Sequence, residues 1–280
     1  MKIAGHDIAV CSWSLQPINM TDLIDQVREL TLEHVQLAIG PLVAMDDARR
    51  TAEIDIFRAS GVHMTAGMIG FSGEDYSTIA QIAQTGGYVP DATWEARRAV
   101  TLSAAKIVAD LGGDKLTTHI GFVPVSSDAN YPHLLSRLRS LADEMSRQGV
   151  RLGLETGQEP ATELLKFLND LNHRNVFVNF DPANMLLYGC GDPIDAVATL
   201  GRHIAHVHVK DARMSNKPGL TWGEEVPFGS GAVGAGKFLD ALDDVGYDGP
   251  LAIEREAGLD RLEDIATAIT SLQDAELEAE

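Results

Sequence analysis

The chain has 280 residues, with 22 Lys+Arg against 41 Asp+Glu and a formal net charge of −19. That balance repels phosphate backbones and anionic membrane surfaces and argues against nucleic acid or a membrane as partner. Two cysteines, Cys11 and Cys190, are too few for a disulfide framework, and MKIAGHDIAV lacks the basic-then-apolar order of a signal peptide. No apolar run reaches the ~18 residues of a membrane span, so a soluble cytoplasmic protein is expected.

Short β-branched or apolar runs alternate with amphipathic stretches of helical length along the chain. The strand-like runs are about 7–12, 34–39, 62–68, 115–121, 150–155, 175–181, 203–210 and 250–255. Between them lie helical patterns such as MTDLIDQVREL, TWEARRAVTLSAAKIVADL, YPHLLSRLRSLADEMSRQ, PATELLKFLNDL, GKFLDALDDVG and DRLEDIATAITSLQ. Eight βα repeats without a low-complexity linker predict one α/β domain over residues 1–280, a closed (β/α)8 TIM barrel. A doubly wound open sheet is the alternative, and it would bring the ends of runs five to eight around one axis less naturally. Two connections are long, 69–92 and 211–233, and long loops on a catalytic face are lids or substrate walls. Their Tyr76, Tyr88 and Trp222 could stack on a sugar ring or pin the loops down.

Strand parity isolates the candidate site. Alternate side chains point to opposite faces, so polar residues of one parity serve something other than the helix-packed surface. Leu152 and Leu154 oppose Glu155, and Val176, Val178 and Phe180 oppose Asn179 and Asp181. Ala205, Val207 and Val209 oppose His206, His208 and Lys210; Leu251 and Ile253 oppose Glu254 and Glu256. His119 joins the same inward set. A lone inward His or Glu is more often a hydrogen-bonded core residue than a ligand. Four in register change that balance, because burying several unpaired carboxylates near one axis costs on the order of several kcal/mol each without a cation.

Glu155, Asp181, His208 and Glu254 therefore read as the ligands of one divalent metal ion. A mostly oxygen set suits Mn²⁺, with Mg²⁺, Co²⁺ and Zn²⁺ as alternatives. Such an ion polarises a carbonyl and stabilises an enediolate formed at the adjacent carbon. Glu155 and Glu254, from opposite sides of the axis, could remove and return the proton, which is isomerisation or epimerisation. Residues 229–234, GSGAVG, match G-x-G-x-x-G but follow a long loop instead of a strand, so the dinucleotide context is missing. The helix N-terminus there could hold a phosphate, though no cluster of basic residues accompanies it. His206 reads as a residue that orients a neighbouring ligand.

At ETGQEP (155–160), NFDPANMLLYG (179–189), HVHVKD (206–211) and GYDGPLAIERE (246–256) the chain resembles the xylose isomerase-like barrel superfamily. That group includes ketose 3-epimerases, inosose isomerases and dehydratases and, more distantly, endonuclease IV. The resemblance covers essentially the whole chain. It implies that Glu155, Asp181, His208 and Glu254 bind one divalent metal and that the two Glu form the acid/base pair. It further implies substrate contact at Asn184, where ketose 3-epimerases carry His, and at Lys210 or Arg213. Lys210 could donate to an oxyanion or pair with an Asp carboxylate to shape the loop; His119 is open between substrate contact and a satisfied rim residue. The loop DARMSNKPGL lacks the D-x-H of endonuclease IV, which argues against phosphodiester cleavage. The expectation is a keto-sugar or keto-cyclitol isomerase/epimerase acting on a small molecule, with a dehydratase or lyase and a non-catalytic sugar-binding barrel as alternatives. The residues do not distinguish a monomer from a homo-oligomer.

Overall fold

The structure is a computed structural model and describes residues 1–279. Eight parallel strands form its centre: His6–Cys11 (β1), His34–Ala38 (β2), His63–Met68 (β3), Lys115–Thr118 (β4), Arg151–Glu155 (β5), Val176–Phe180 (β6), Ile204–Val209 (β7) and Leu251–Ile253 (β8). Neighbours pair in chain order, and the ring closes where Leu251, Ala252 and Ile253 lie opposite Ile8, Ala9 and Val10. Closure settles the choice between barrel and open sheet in favour of the (β/α)8 barrel. Lys2–Ile3 adds a short antiparallel strand to β1.

The outward strand residues Leu152, Leu154, Val178, Phe180, Val207 and Val209 are wholly buried beneath the helices. Helix Asn130–Arg147 presents Leu134, Leu138, Leu141 and Met145 to them, and Ala161–Leu171 presents Leu164, Phe167, Leu168 and Leu171. That spacing puts one apolar stripe on each helix, and each wholly buried Leu contributes about 1.5–3 kcal/mol. Inside the barrel Gly153 makes room for an aromatic ring. A Cβ there would sit 2.6 Å from Phe177 and 2.8 Å from the Thr117 methyl.

The pairing register shifts twice near the site, between Val178 and Asn179 of β6 where Ala205 of β7 is skipped, and between β2 and β3. Val35 pairs with Met64 and Gln36 with Ala66, so Thr65 is an extra residue in β3. A bulge of this kind re-aims side chains, and the Thr65 hydroxyl reaches His206.

Both long connections are tied down. In 69–92, Glu74 accepts from the amides of Phe71 (3.0 Å) and Gly87 (2.8 Å). Tyr88 is wholly buried, with its hydroxyl 2.7 Å from that of Thr101, and so pins the loop. In the second connection Asp211–Arg213 and Glu224–Val226 form a small antiparallel hairpin. The Asp211 carboxylate accepts from the amides of Ala212, Gly229, Gly231 and Val233 at 2.8–3.0 Å. Gly231 is required there, since a Cβ would lie 2.2 Å from Asp211 Oδ1. The GSGAVG segment is thus an amide nest already filled by an anion of its own chain. Among the described residues no helix is long and apolar enough to cross a membrane.

Candidate metal centre and its cavity

Glu155 ends β5, Asp181 follows β6, His208 is the penultimate residue of β7 and Glu254 follows β8. One donor atom from each lies within 4.8 Å of all the others, and none of the four residues is more than 5 % exposed. His208 Nδ1 stands 3.0 Å from Glu254 Oε2, 3.4 Å from Glu155 Oε1 and 3.5 Å from Asp181 Oδ2. Glu155 Oε2, Asp181 Oδ2 and His208 Nδ1 are buried without a hydrogen-bond partner. Burial alone would lower the His208 pKa, but Glu254, Cys11, Glu155 and Asp181 outweigh it and hold the imidazole well above its ordinary value. The field that draws a proton to Nδ1 also draws a cation. Three converging carboxylates, two of them with an unpartnered oxygen, and one unpartnered imidazole nitrogen fit a divalent ion.

Which His208 nitrogen faces the cluster follows from the hydrogen-bond network behind it. The Thr117 hydroxyl donates to Gly67 O (3.1 Å), so its oxygen accepts from Gln36 Nε2 (2.9 Å). That orientation turns Gln36 Oε1 toward His208 Nε2 at 2.7 Å. Gln36 Oε1 is the nearer partner of Nε2, with Asn179 Nδ2 at 3.2 Å, and a proton on Nε2 aimed at Gln36 leaves the Nδ1 lone pair for a metal. His206 stands further back, 2.7 Å from Asn179 Oδ1 and 3.0 Å from the Thr65 hydroxyl. Burial, with His208 nearby, keeps it neutral.

Asp181 has two functions. Its Oδ1 accepts from the Asn184 amide at 3.0 Å and caps helix Pro182–Tyr188, which leaves Oδ2 for the cluster. Thr156 Oγ1 accepts from the Asp181 amide (2.8 Å) and donates to its carbonyl (3.0 Å), fixing the backbone there. Asn184 Nδ2 donates to Glu155 Oε1 at 3.2 Å. His119 Nε2 lies 3.4 Å from Glu155 Oε2.

Glu254 is held from both sides, by Trp13 Nε1 at 2.6 Å and by Lys210 Nζ at 3.0 Å. Lys210, 2 % exposed, also lies 2.7 Å from Glu256, 3.7 Å from Glu225 and 3.8 Å from Asp181. Burial would lower its pKa; Glu254, Glu256, Asp181 and Glu225 raise it well above the ordinary lysine value. The pairing is closest with Glu256 and Glu254, and the Asp carboxylate expected as its partner, Asp181, is the most distant of the four. Arg213 lies apart: its side chain is 58 % exposed and its guanidinium donates to Ser230 O at 2.9 Å.

A cavity of about 800 Å³ opens over the cluster, lined among others by Trp13, Met68, His119, Asn184, Tyr188, Trp222 and Glu254. Sequence reasoning placed Glu155, Asp181, His208, Glu254, His119 and Asn184 together, and it overlooked Trp13, Gln36, Thr156 and Glu225. Gln36 had a usable signal, since it alternates with Val35 and Leu37 in β2. Trp13 had none, because Ser12–Leu15 is a single helical turn too short for periodicity.

A family model described as "Xylose isomerase-like TIM barrel" matches residues 78–275. The chain is similar to a solved xylose isomerase domain protein from Planctomyces limnophilus, at 33% identity and TM-score 0.88 over 98% of this chain and 97% of that one. It is also similar to a xylose isomerase-like TIM barrel protein from Mycobacterium smegmatis in complex with magnesium, at 18% identity and TM-score 0.71 over 98% and 99%. D-psicose 3-epimerase from Clostridium cellulolyticum H10 superimposes at 17% identity and TM-score 0.65 over 98% and 97%. The last two likenesses are of fold. The uncharacterized protein MJ1311 of Methanocaldococcus jannaschii is 24% identical over 162 residues, 52% of each chain, so the match spans about half the length of that curated relative.

Proposed function

The chain belongs to the xylose isomerase-like TIM barrel family, and from that premise we propose a divalent-metal-dependent isomerase or epimerase of a keto-sugar or keto-cyclitol. The observation that carries this reading is the meeting of Glu155 and Glu254, from strands three places apart in the ring, within one buried four-residue cluster beneath a cavity. Glu155, Asp181, His208 and Glu254 would hold the ion, with Mn²⁺ the best suited and Mg²⁺, Co²⁺ or Zn²⁺ as alternatives. When bound, the ion supplies Lewis-acid polarisation of the substrate carbonyl.

The side chains do the rest. Glu155, whose Oε2 has no hydrogen-bond partner, removes the proton from the carbon beside the carbonyl, and Glu254 returns one from the opposite side. Trp13 and Lys210 keep the Glu254 carboxyl aimed, and Lys210 acts through it without touching substrate. His119 and Asn184, which line the cavity and touch Glu155, orient substrate hydroxyls. Arg213 has no part in this reading, because its guanidinium is exposed on the hairpin.

The test pairs metal content with proton exchange. About one divalent ion per chain by mass spectrometry, lost in the Glu155→Gln/Glu254→Gln double variant, is expected. On a panel of ketoses and inososes, solvent deuterium should enter the product with the carbon skeleton intact. Either single Glu→Gln change should reduce turnover at least a thousandfold while the barrel stays folded by circular dichroism. Full activity in either variant removes the two-carboxylate mechanism, and loss of water from the product assigns a dehydratase instead.

A further inference from the structure

The cavity as a whole is lined by four carboxylates, Glu74, Glu225, Glu254 and Glu256, and no lysine or arginine is among the described residues that line it. The nearby cations are engaged elsewhere. Lys210 is enclosed by four carboxylates, and Arg255 pairs with Glu225 and Asp264, each at 2.8 Å. The one amide nest close by is closed around Asp211. A phosphate or carboxylate on the substrate would meet negative charge and no lysine or arginine from the lining.

Tyr76, Tyr188 and Trp222 form the wall there. Trp222 Nε1 donates to Tyr76 O at 3.2 Å, which ties the two long loops together, and its ring meets Tyr188 edge-on at 4.7 Å between centroids. The indole is therefore fixed before any ligand arrives, and little ordering cost remains. Tyr188 ends the helix that Asp181 caps. At 1.5 Å of rise per residue the wall stands about 10 Å along that helix from the cap. Tyr76 is 44 % exposed and Tyr188 is buried, so the wall runs inward from the mouth. A volume of about 800 Å³ suits a drug-sized ligand, and a lone monosaccharide at the metal would leave this wall to water.

We infer that Tyr76, Tyr188 and Trp222 form a subsite for a second, uncharged ring, so that the substrate is a keto-glycoside and not a sugar phosphate. The inference rests on the sugar-isomerase reading. Its test is equilibrium binding, which is independent of turnover: the metal-loaded protein is titrated calorimetrically with matched phenyl and methyl glycosides of glucose, galactose and xylose, and with glucose 6-phosphate. In at least one pair the phenyl glycoside should bind about tenfold tighter, as expected for an added aromatic contact, and glucose 6-phosphate should bind more weakly than either. Trp222→Ala should erase the preference and leave the methyl glycoside unaffected; Trp222→Phe, which keeps a ring, should retain most of it. Equal affinities within every pair, no binding by any glycoside, tighter binding of the sugar phosphate, or a preference that survives Trp222→Ala would each overturn the subsite. If the phenyl preference holds and deuterium exchange fails on all ketoses and keto-glycosides, the isomerase reading alone falls.

Discussion

Gln36 shows how much of the candidate metal centre is decided by residues outside the four-residue cluster. Its amide is fixed by Thr117, and its carbonyl in turn fixes the protonated nitrogen of His208. Gln36→Leu keeps the volume near that of the original and removes the acceptor, so His208 is free to present the wrong tautomer. Metal affinity should fall about 10–100-fold, read by titrating Mn²⁺ into the metal-free protein, with circular dichroism unchanged. Unaltered affinity would mean that the carboxylates alone select the tautomer.

Helix Pro182–Tyr188 is the element that joins the metal centre to the aromatic wall. Asp181 caps the helix and, in the proposed reading, would also hold the ion, and two substitutions separate those functions. Asn caps as well as Asp does, so Asp181→Asn should abolish the rise in Tm that metal produces, yet leave the metal-free protein at least as stable as the parent. Asp181→Ala loses the cap too and should be less stable than Asp181→Asn by about 1 kcal/mol in urea denaturation. Equal stability of the two variants would show that Thr156 fixes the helix start unaided. The parity rule found Asp181 because it continues β6, but the short helix after it is legible mainly from its Asp-Pro start and Gly189 stop.

Across the whole molecule the stability depends on pH through a group outside the candidate site. Glu159 is buried, its Oε2 has no partner, and burial pushes its pKa up to about 8 against an ordinary 4.5, the Val123 amide offsetting part of the rise. Between those values the folded chain holds a proton that the unfolded chain has released. Its contribution to stability is therefore full below about 4.5 and is lost as the pH rises through about 8. Glu159→Gln should match the parent near pH 5 and exceed its Tm by roughly 5 °C or more at pH 9, given that a few kcal/mol is at stake and each is worth about 2–4 °C in a large domain. A Tm difference that does not change with pH would place the carboxyl in contact with solvent.

The sequence by itself determined the barrel and the four side chains that converge at its axis, because strand alternation and βα repetition are local patterns that burial enforces one residue at a time. Tertiary structure alone decided that Trp13 reaches Glu254, that Lys210 is enclosed by Glu225 and Glu256, and that Asp211 fills the GSGAVG nest. Those contacts join segments far apart in the chain, and a loop's side chains carry no periodicity to say where they will point. Thr65 is the intermediate case: one extra residue in β3 turned its hydroxyl inward, and a strict count of alternation has no term for a bulge.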